Sequence, residues 1–316
     1  MTMGITVKNP GVLTTVQDFG RFGYQQFGVS ASGVMDPRAM SLANLLVGNP
    51  EDEAVLECTM MGPELSFDEA NVIAITGGNL QPMIDGVPVD TYRAIAVAAG
   101  QTLRFMGPKT GLRAYIAFAG GLDIEPVMGS RSTHMKAKIG GFQGRKLDKE
   151  DQIGFRAPKE TLKNMDLRVM APEFVVRPEY LLRVVMGPQD DYFTEAGIKT
   201  FLSEVYTLTP EFDRMGCRLD GAVIEHKNGG DIISDGIAFG AIQVPSAGTP
   251  IIMVADRQTT GGYTKIANVI TADFRILGQL KAGDKVRFAK VSIQAAQDAL
   301  LTQRKALKNM GRVFNS

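Results

Sequence analysis

Residues 241–255 read Ala-Ile-Gln-Val-Pro-Ser-Ala-Gly-Thr-Pro-Ile-Ile-Met-Val-Ala. Two apolar runs, 241–244 and 251–255, flank a segment rich in Pro and Gly, which is the pattern of strand, turn and strand. An antiparallel hairpin of Ala241–Val244 with Ile251–Val254 puts Gln243 near the middle of its ladder and Asp256 beyond its end. The same rhythm recurs along the chain. Val72–Thr76, Ala94–Ala98, Leu103–Met106, Arg113–Ala119, Leu181–Met186, Ile251–Ala255 and Val286–Ala289 read as strands. Several are continuous apolar runs, the mark of strands buried on both faces. Helices are few. Asp36–Val47 has Asp36 as a cap, Pro37 at the first helical position, Gly48 as a left-handed stop, and a stripe of Ala39, Leu42, Ala43 and Leu46. Ser292–Leu307, with Ala295, Ala296, Ala299 and Leu300 inward, and a stretch within Tyr192–Ser203 are the others. The expected class is mainly β.

The segment Ala99–Phe105 (AGQTLRF) is echoed by Ala282–Phe288 (AGDKVRF), and Met-Gly-Pro recurs at Met61, Met106 and Met186. Two related β halves produce such an echo. The polar, charge-mixed stretch Pro158–Arg168 is the expected boundary, giving halves 1–165 and 166–316, with exchange of segments between them allowed.

Lys plus Arg and Asp plus Glu both number 34, so no global basic field exists to hold nucleic acid or an anionic membrane. The start lacks an apolar run behind a basic head, and no stretch reaches the roughly 20 apolar residues of a membrane span. A cytoplasmic location is the expectation. Two cysteines, Cys58 and Cys217, make no disulfide framework, and both read as buried and structural. Only His134 and His226 are present, with no CxxC or HExxH spacing, so no metal site is expected. Walker-type loops, GxGxxG after a strand and GxSxG are all missing. The basic residues Arg304, Lys305, Lys308 and Arg312 read as a solvated helix end.

Three segments concentrate Gly, amides, hydroxyls and charge. The first is Thr14–Arg21, running on to Gly33–Asp36. The second is Gly129–Thr133, with Gly140–Arg145 downstream. The third is Ser234–Gly236, Gly240–Pro245 and Ala255–Tyr263. Such stretches are usually turns. In the third, however, Gln243 interrupts an apolar strand, and Asp256 and Gln258 follow a strand end beside Gly261-Gly262. Polar groups placed so can line a pocket that backbone approaches closely.

The same segments carry a resemblance. PGVLTTVQDFGRFGYQQFGV (10–29), SGVMD (32–36), LANLLVGN (42–49), LECTMMGPEL (56–65), AFAGGLDIEPVMGSRST (117–133), GGFQGRKL (140–147), DRMGCRLDG (213–221), residues 234–270 and GDKVRF (283–288) resemble the biotin-dependent carboxyltransferase-like family. That family includes the C-type subunit of bacterial 5-oxoprolinase, the carboxyltransferase region of urea carboxylase and urea amidolyase (allophanate hydrolase subunit 2-like), and the antagonist of a sporulation-kinase inhibitor. The resemblance implies two cyclophilin-like β-barrel halves and a partner of related fold. Asp148-Lys149-Glu150-Asp151 departs from the family's Gly-Asp turn, a loop variation. Gln243 with Asp256-Arg257-Gln258-Thr259-Thr260 is more similar to the 5-oxoprolinase branch than to the urea-carboxylating one.

That branch implies ATP-coupled opening of a lactam, 5-oxoproline to glutamate, by a complex with A-type and B-type subunits. Gln243, Gln258, Thr259 and Thr260 suit donation to a developing oxyanion. Asp18 and Asp256 suit proton transfer or orientation of a lactam N–H. Arg21 suits a clamp on the substrate carboxylate or a phosphate, and Tyr263 and Lys265 edge the pocket. For Asp18 and Arg21 a local pair closing a turn is the competing reading. Two other functions stay open: a biotin-dependent carboxyltransferase component acting on urea or a related small amide, and a non-catalytic partner of a kinase inhibitor. The chain has no Met-Lys-Met biotinylation motif.

Overall fold

The computed structural model describes residues 4–315. The chain forms two compact units. Among the described residues, one comprises 4–21, 32–176 and 304–315, and the other 22–31 and 177–303.

The first unit is built on β1 (Gly4–Asn9), β2 (Leu13–Gln17), α1 (Pro37–Leu46), β3 (Val55–Thr59), β4 (Glu64–Phe67), β5 (Asn71–Asn79), β6 (Pro82–Ile84), β7 (Val87–Pro88), β8 (Ala94–Val97), β9 (Thr102–Phe105), β10 (Thr110–Phe118) and β11 (Gln152–Gly154). They form two sheets, ordered β11-β1-β4-β9-β6-β7 and β2-β3-β10-β5-β8. Ile5, Leu65, Phe67 and Leu103 of one sheet meet Leu56, Ile73, Ile75, Ile116 and Phe118 of the other in one core. Phe67, Phe118 and Phe155 pack there with ring centroids 5.5–6.4 Å apart, the offset separation that aromatic quadrupoles favour. The second sheet is covered on its other face too. Val72, Ala74, Tyr115 and Ala117 pack against Leu42, Ala43 and Leu46 of α1. Burial on both faces is why these strands are apolar without alternation. Asp36 caps α1 by accepting from the Ala39 N–H at 3.0 Å, Pro37 opens it, and Gly48 follows it at φ 72°.

The second unit contains β12 (Tyr180–Met186), α2 (Glu195–Ser203), β13 (Tyr206–Phe212), β14 (Gly216–Asp220), β15 (Asp231–Gly236), β16 (Ala241–Val244), β17 (Ile251–Met253), β18 (Thr260–Val269), the short α3 (Phe274–Leu277), β19 (Lys285–Lys290) and the start of α4 (Ile293–Asn315). Its strands follow the order β12-β19-β13-β14-β17-β16-β18-β15, and β12 also pairs with β18. That pairing closes every strand but β15 into a barrel; β15 hangs on β18 outside the ring. Leu182, Val184, Leu208, Leu219, Ile242, Ile252, Ile266 and Phe288 are all buried. Phe201 of α2 stacks on Phe288 at 4.5 Å.

The fold is mainly β with few helices, as expected. Two details differ. The last helix runs to Asn315 rather than Leu307, and its inward residues include Ala296, Gln303, Leu307 and Phe314, while Ala295 is exposed. At 100° per residue only one of two adjacent alanines can face inward. The hairpin of β16 and β17 forms, but Gln243 pairs with Ile251 at its turn end, not in its middle. The 99–105 and 282–288 echo has a local counterpart. Gly100 and Gly283 both adopt φ 87°, and the Ala98 and Lys281 N–H groups donate to the Gln101 and Asp284 side chains that follow each turn.

Candidate functional site

The first two polar segments come together in the first unit, around Asp18. Its Oδ1 accepts from the Gly20 N–H at 2.8 Å, the Ser130 hydroxyl at 2.7 Å and the Ser132 hydroxyl at 2.5 Å. Its Oδ2 accepts from the Arg131 N–H at 2.5 Å. A carboxylate has about four lone-pair sites, and four donors meet this one, three at Oδ1 and one at Oδ2. Arg21 is 1% exposed. It donates through Nη2 to the Ser132 carbonyl at 2.6 Å and through Nε to the Val127 carbonyl at 3.4 Å. Gly140 is required beside it: a Cβ there would come 2.3 Å from Arg21 Nη2, at a φ of 65°. The cluster braces the 127–141 loop against the end of β2.

The third segment forms a separate group in the second unit, and its chemistry is different. β16 and β18 pair antiparallel, with Gln243 opposite Lys265 and a bulge between this pair and the next, Ile242 opposite Ala267. Opposed residues project on the same face of a sheet, and so do residues i and i+4 of one strand. Gln243, Lys265 and Gly261 therefore share a face. A Cβ on Gly261 would come 2.9 Å from Gln243 Nε2, 2.7 Å from Ile237 Cδ1 and 3.4 Å from Gln258 Nε2. The missing side chain lets both amides approach the backbone of β18 closely. Gly261 is opposite Asp235 of β15. Asp235 Oδ2 lies 3.0 Å from Lys265 Nζ and accepts from Gln189 Nε2 at 3.4 Å, while Gln189 Oε1 accepts from the Lys265 N–H.

Gln243 is 2% exposed, and its buried Nε2 finds no hydrogen-bond partner among the described residues. The Lys265 ammonium is buried as well. It meets Asp235 as an ion pair, and none of its N–H donors has an aligned acceptor among the described residues. Unmade hydrogen bonds of this kind cost about 1–3 kcal/mol each, so each calls for a partner or a compensating gain. The Lys265 charge, together with hydrogen bonds from Gly236 and Gln189, holds the Asp235 carboxyl below its ordinary range.

Asp256 lies in the turn after β17. Arg214 grips both its oxygens, at 2.9 and 3.0 Å, in a buried two-point ion pair. The Asp256 N–H donates to the Arg214 carbonyl as well. Arg257 is buried beside it and donates to the carbonyls of Ile237, Val254 and Ala255; burial lowers its pKa to about 10, against the opposing effect of Asp256. Gln258, Thr260 and Tyr263 are exposed at the rim, and Thr259 is half-buried. His226 holds the Val244 carbonyl and Thr264 hydroxyl, each at 3.1 Å, behind Gln243.

Asp18 and Arg21 thus belong to one group and Gln243, Gln258, Lys265 and Tyr263 to another, with Asp256 beneath the second. Sequence reasoning gave no role to Arg214, Asp235 or Gln189, although Asp235 lies in the third polar segment. Arg214 and Asp235 fall within stretches that carried the resemblance, DRMGCRLDG and the one opening at Ser234; Gln189 had no signal. Neither cysteine is in a disulfide and both are buried, and burial raises the Cys58 thiol far above its usual range. No group of three His, Cys, Asp or Glu able to hold a metal occurs among the described residues, and no helix there is long and apolar enough to cross a membrane.

The chain belongs to the carboxyltransferase-domain family: the model for a carboxyltransferase domain, subdomains A and B, matches residues 27–290. Within it, the chain is 35% identical to the 5-oxoprolinase C-type subunit of Escherichia coli (strain K12) over 300 residues, 95% of each protein. It is 37% identical to the corresponding 5-oxoprolinase C-type subunit of Haemophilus influenzae over 285 residues, 89% of each. The crystal structure of the Kluyveromyces lactis urea carboxylase is similar over 98% of this chain, with a TM-score of 0.91 and 29% identity; the chain spans 29% of that protein.

Proposed function

We propose that this chain is the C-type subunit of a 5-oxoprolinase, which opens 5-oxoproline to glutamate with ATP in a complex with A-type and B-type subunits. The carrying observation is the buried, unpartnered Gln243 amide over Gly261, in a chain related along nearly its whole length to two C-type 5-oxoprolinase subunits. Gln243 Nε2 donates to the lactam oxygen as charge develops on it, a contribution of about 10²–10³ in rate for a fixed donor. Gln258 supplies a second amide beside Gly261, with the Thr259 and Thr260 hydroxyls at the rim. Tyr263 covers the open side. Asp256, gripped by Arg214, acts by fixing the turn that carries Gln258 rather than by moving a proton. Asp18 and Arg21 act by shaping the 127–141 loop.

The residues do not fit a nucleotide site. The chain has no Gly-rich phosphate loop, and α1 opens on a carboxylate, which repels phosphate. ATP is therefore assigned to the partner subunits. The likeness to urea carboxylase favours one second reading, a carboxyltransferase component that receives biotin from elsewhere. Reconstitution separates them. The purified chain is expected to be inactive alone. With its partners it should show ATP hydrolysis dependent on 5-oxoproline; turnover dependent on urea, bicarbonate and biotin instead would establish the second reading.

A further inference from the structure

Lys265 holds an ammonium inside the barrel wall, and the group that neutralises it comes from the outlying strand. The Lys265 side chain is 4% exposed, whereas that of Asp235 is 52% exposed. Asp235 belongs to β15, which lies outside the closed ring and pairs only with β18, at Asp231–Tyr263, Asp235–Gly261 and Gly236–Thr260. The register slips between the first two of these pairs, so part of β15 is unladdered. β15 is also the least buried strand of the unit: Ile233 is 95% exposed, and only Ile232 is half-buried. A strand with so little burial opens at small cost.

We propose that Lys265 and Gln243 form an anion subsite for a small carboxylate, and that in the free chain Asp235 occupies it in place of the ligand. A carboxylate has two oxygens that accept in one plane. Lys265 and Gln243, opposed on neighbouring strands, present an ammonium and an amide NH₂ on one face, next to Gly261; one N–H of the amide meets the carboxylate and the other is left for the lactam oxygen. Asp235 satisfies the charge of Lys265 but not its hydrogen-bond geometry, and it leaves Gln243 Nε2 unmatched. A free carboxylate supplies both. It displaces Asp235, and β15 swings out or re-forms over the occupied site. The strand thus acts as a charge-matched gate that admits anions and leaves neutral amides to compete against an intact ion pair.

The choice of 5-oxoproline as one probe rests on the function proposed above; acetate is the probe that does not. Calorimetric titration of the full chain with acetate and with 5-oxoproline is the test, with 2-pyrrolidinone as the neutral control. Asp235→Asn removes the internal competitor and should tighten both carboxylates by about fivefold, the scale of one exposed ion pair. Lys265→Met should weaken both by about tenfold or more, the loss of a charge-assisted bond. 2-Pyrrolidinone, with no charge to pair with Lys265, should not weaken in Lys265→Met. The proposal is overturned if Asp235→Asn leaves acetate affinity unchanged, or if Lys265→Met, shown folded by its melting curve, binds acetate as wild type does. Asp235 is exposed, so the first variant reports even where the second fails to fold. Should acetate follow both variants while 5-oxoproline binds neither and the complex does not turn it over, the anion subsite stands and the 5-oxoprolinase reading falls.

Discussion

Asp18 and Gln243 are both buried polar side chains near the end of a strand in a Gly-rich setting, yet the first is met by donors at both oxygens and the second has donors to spare. Asp18 takes four hydrogen bonds from its own unit. Gln243 Nε2 takes part in none among the described residues. Folding tolerates a saturated cluster because it repays its desolvation, and an unsaturated one only where something else is gained. We read the difference as that between a brace and a site, although both look alike as sequence.

The sharpest break would come from turnover. In the reconstituted complex, Gln243→Ala should cut 5-oxoproline-dependent ATP hydrolysis by about 10² or more, because a fixed donor to developing charge is lost. Its melting temperature should hold or rise, since no internal hydrogen bond is broken. Asp18→Ala should do the reverse. Four donors lose their acceptor, and stability should fall by about 1–3 kcal/mol or more while turnover per folded molecule stays near normal. A large kcat loss in Asp18→Ala without unfolding would make Asp18 a reacting group and erase the contrast.

Asp256→Ala tests which side of the contrast its ion pair falls on. It strands Arg214, buried, without its carboxylate, at a cost of about 3–5 kcal/mol. Chemical denaturation measures this directly. Asp256→Asn keeps the shape and part of the bonding, and should recover most of the turnover that Asp256→Ala loses. A proton-transfer role would leave Asp256→Asn as inactive as Asp256→Ala.

A smaller and more local change is Gly261→Ala. This position is not in the left-handed region, so the backbone accepts the methyl. The methyl instead comes within 3 Å of Gln243 Nε2 and Ile237 Cδ1. Circular dichroism and melting should change little. The apparent KM for 5-oxoproline should rise by about tenfold, as a contact of about 1.4 kcal/mol is obstructed. An unchanged KM would remove Gly261 from the site.

Much of this was legible in the sequence, for reasons that particular residues make plain. Strands buried on both faces, such as β5 and β10, announce themselves as unbroken apolar runs, and α1 carries its cap, its proline and its stop in order. Gln243 stood out because an amide inside an apolar strand needs a reason. What pattern could not supply was valence. Nothing local distinguishes the Asp18 carboxylate, filled by Ser130, Arg131 and Ser132 more than a hundred residues away, from one awaiting substrate. Arg214 and Asp256 meet across 42 residues, and Asp235 reaches Lys265 only through the slipped register of β15 on β18. Long-range pairing decides which polar residues are spent, and neither periodicity nor composition records it.

The smallest effect concerns pH, and it asks whether the Asp235–Lys265 pair is a light latch or a structural bond. Lys265, 3.0 Å away, depresses the Asp235 pKa below its ordinary value of 3.8, helped by the Gly236 N–H. A carboxyl with a depressed folded-state pKa adds stability that is present above its unfolded pKa and is lost as pH falls through the folded one. Wild type should therefore melt slightly above Asp235→Asn at pH 7. The two curves should converge as pH drops below about 3.8, where the carboxylate takes up its proton. The gap should be small and should shrink in 1 M salt, because an exposed carboxylate is screened by water and ions. A gap of many degrees, insensitive to salt, would make the pair part of the barrel's framework. Asp235 could not then give way to a ligand, and the second unit's site would be as closed as the Asp18 cluster.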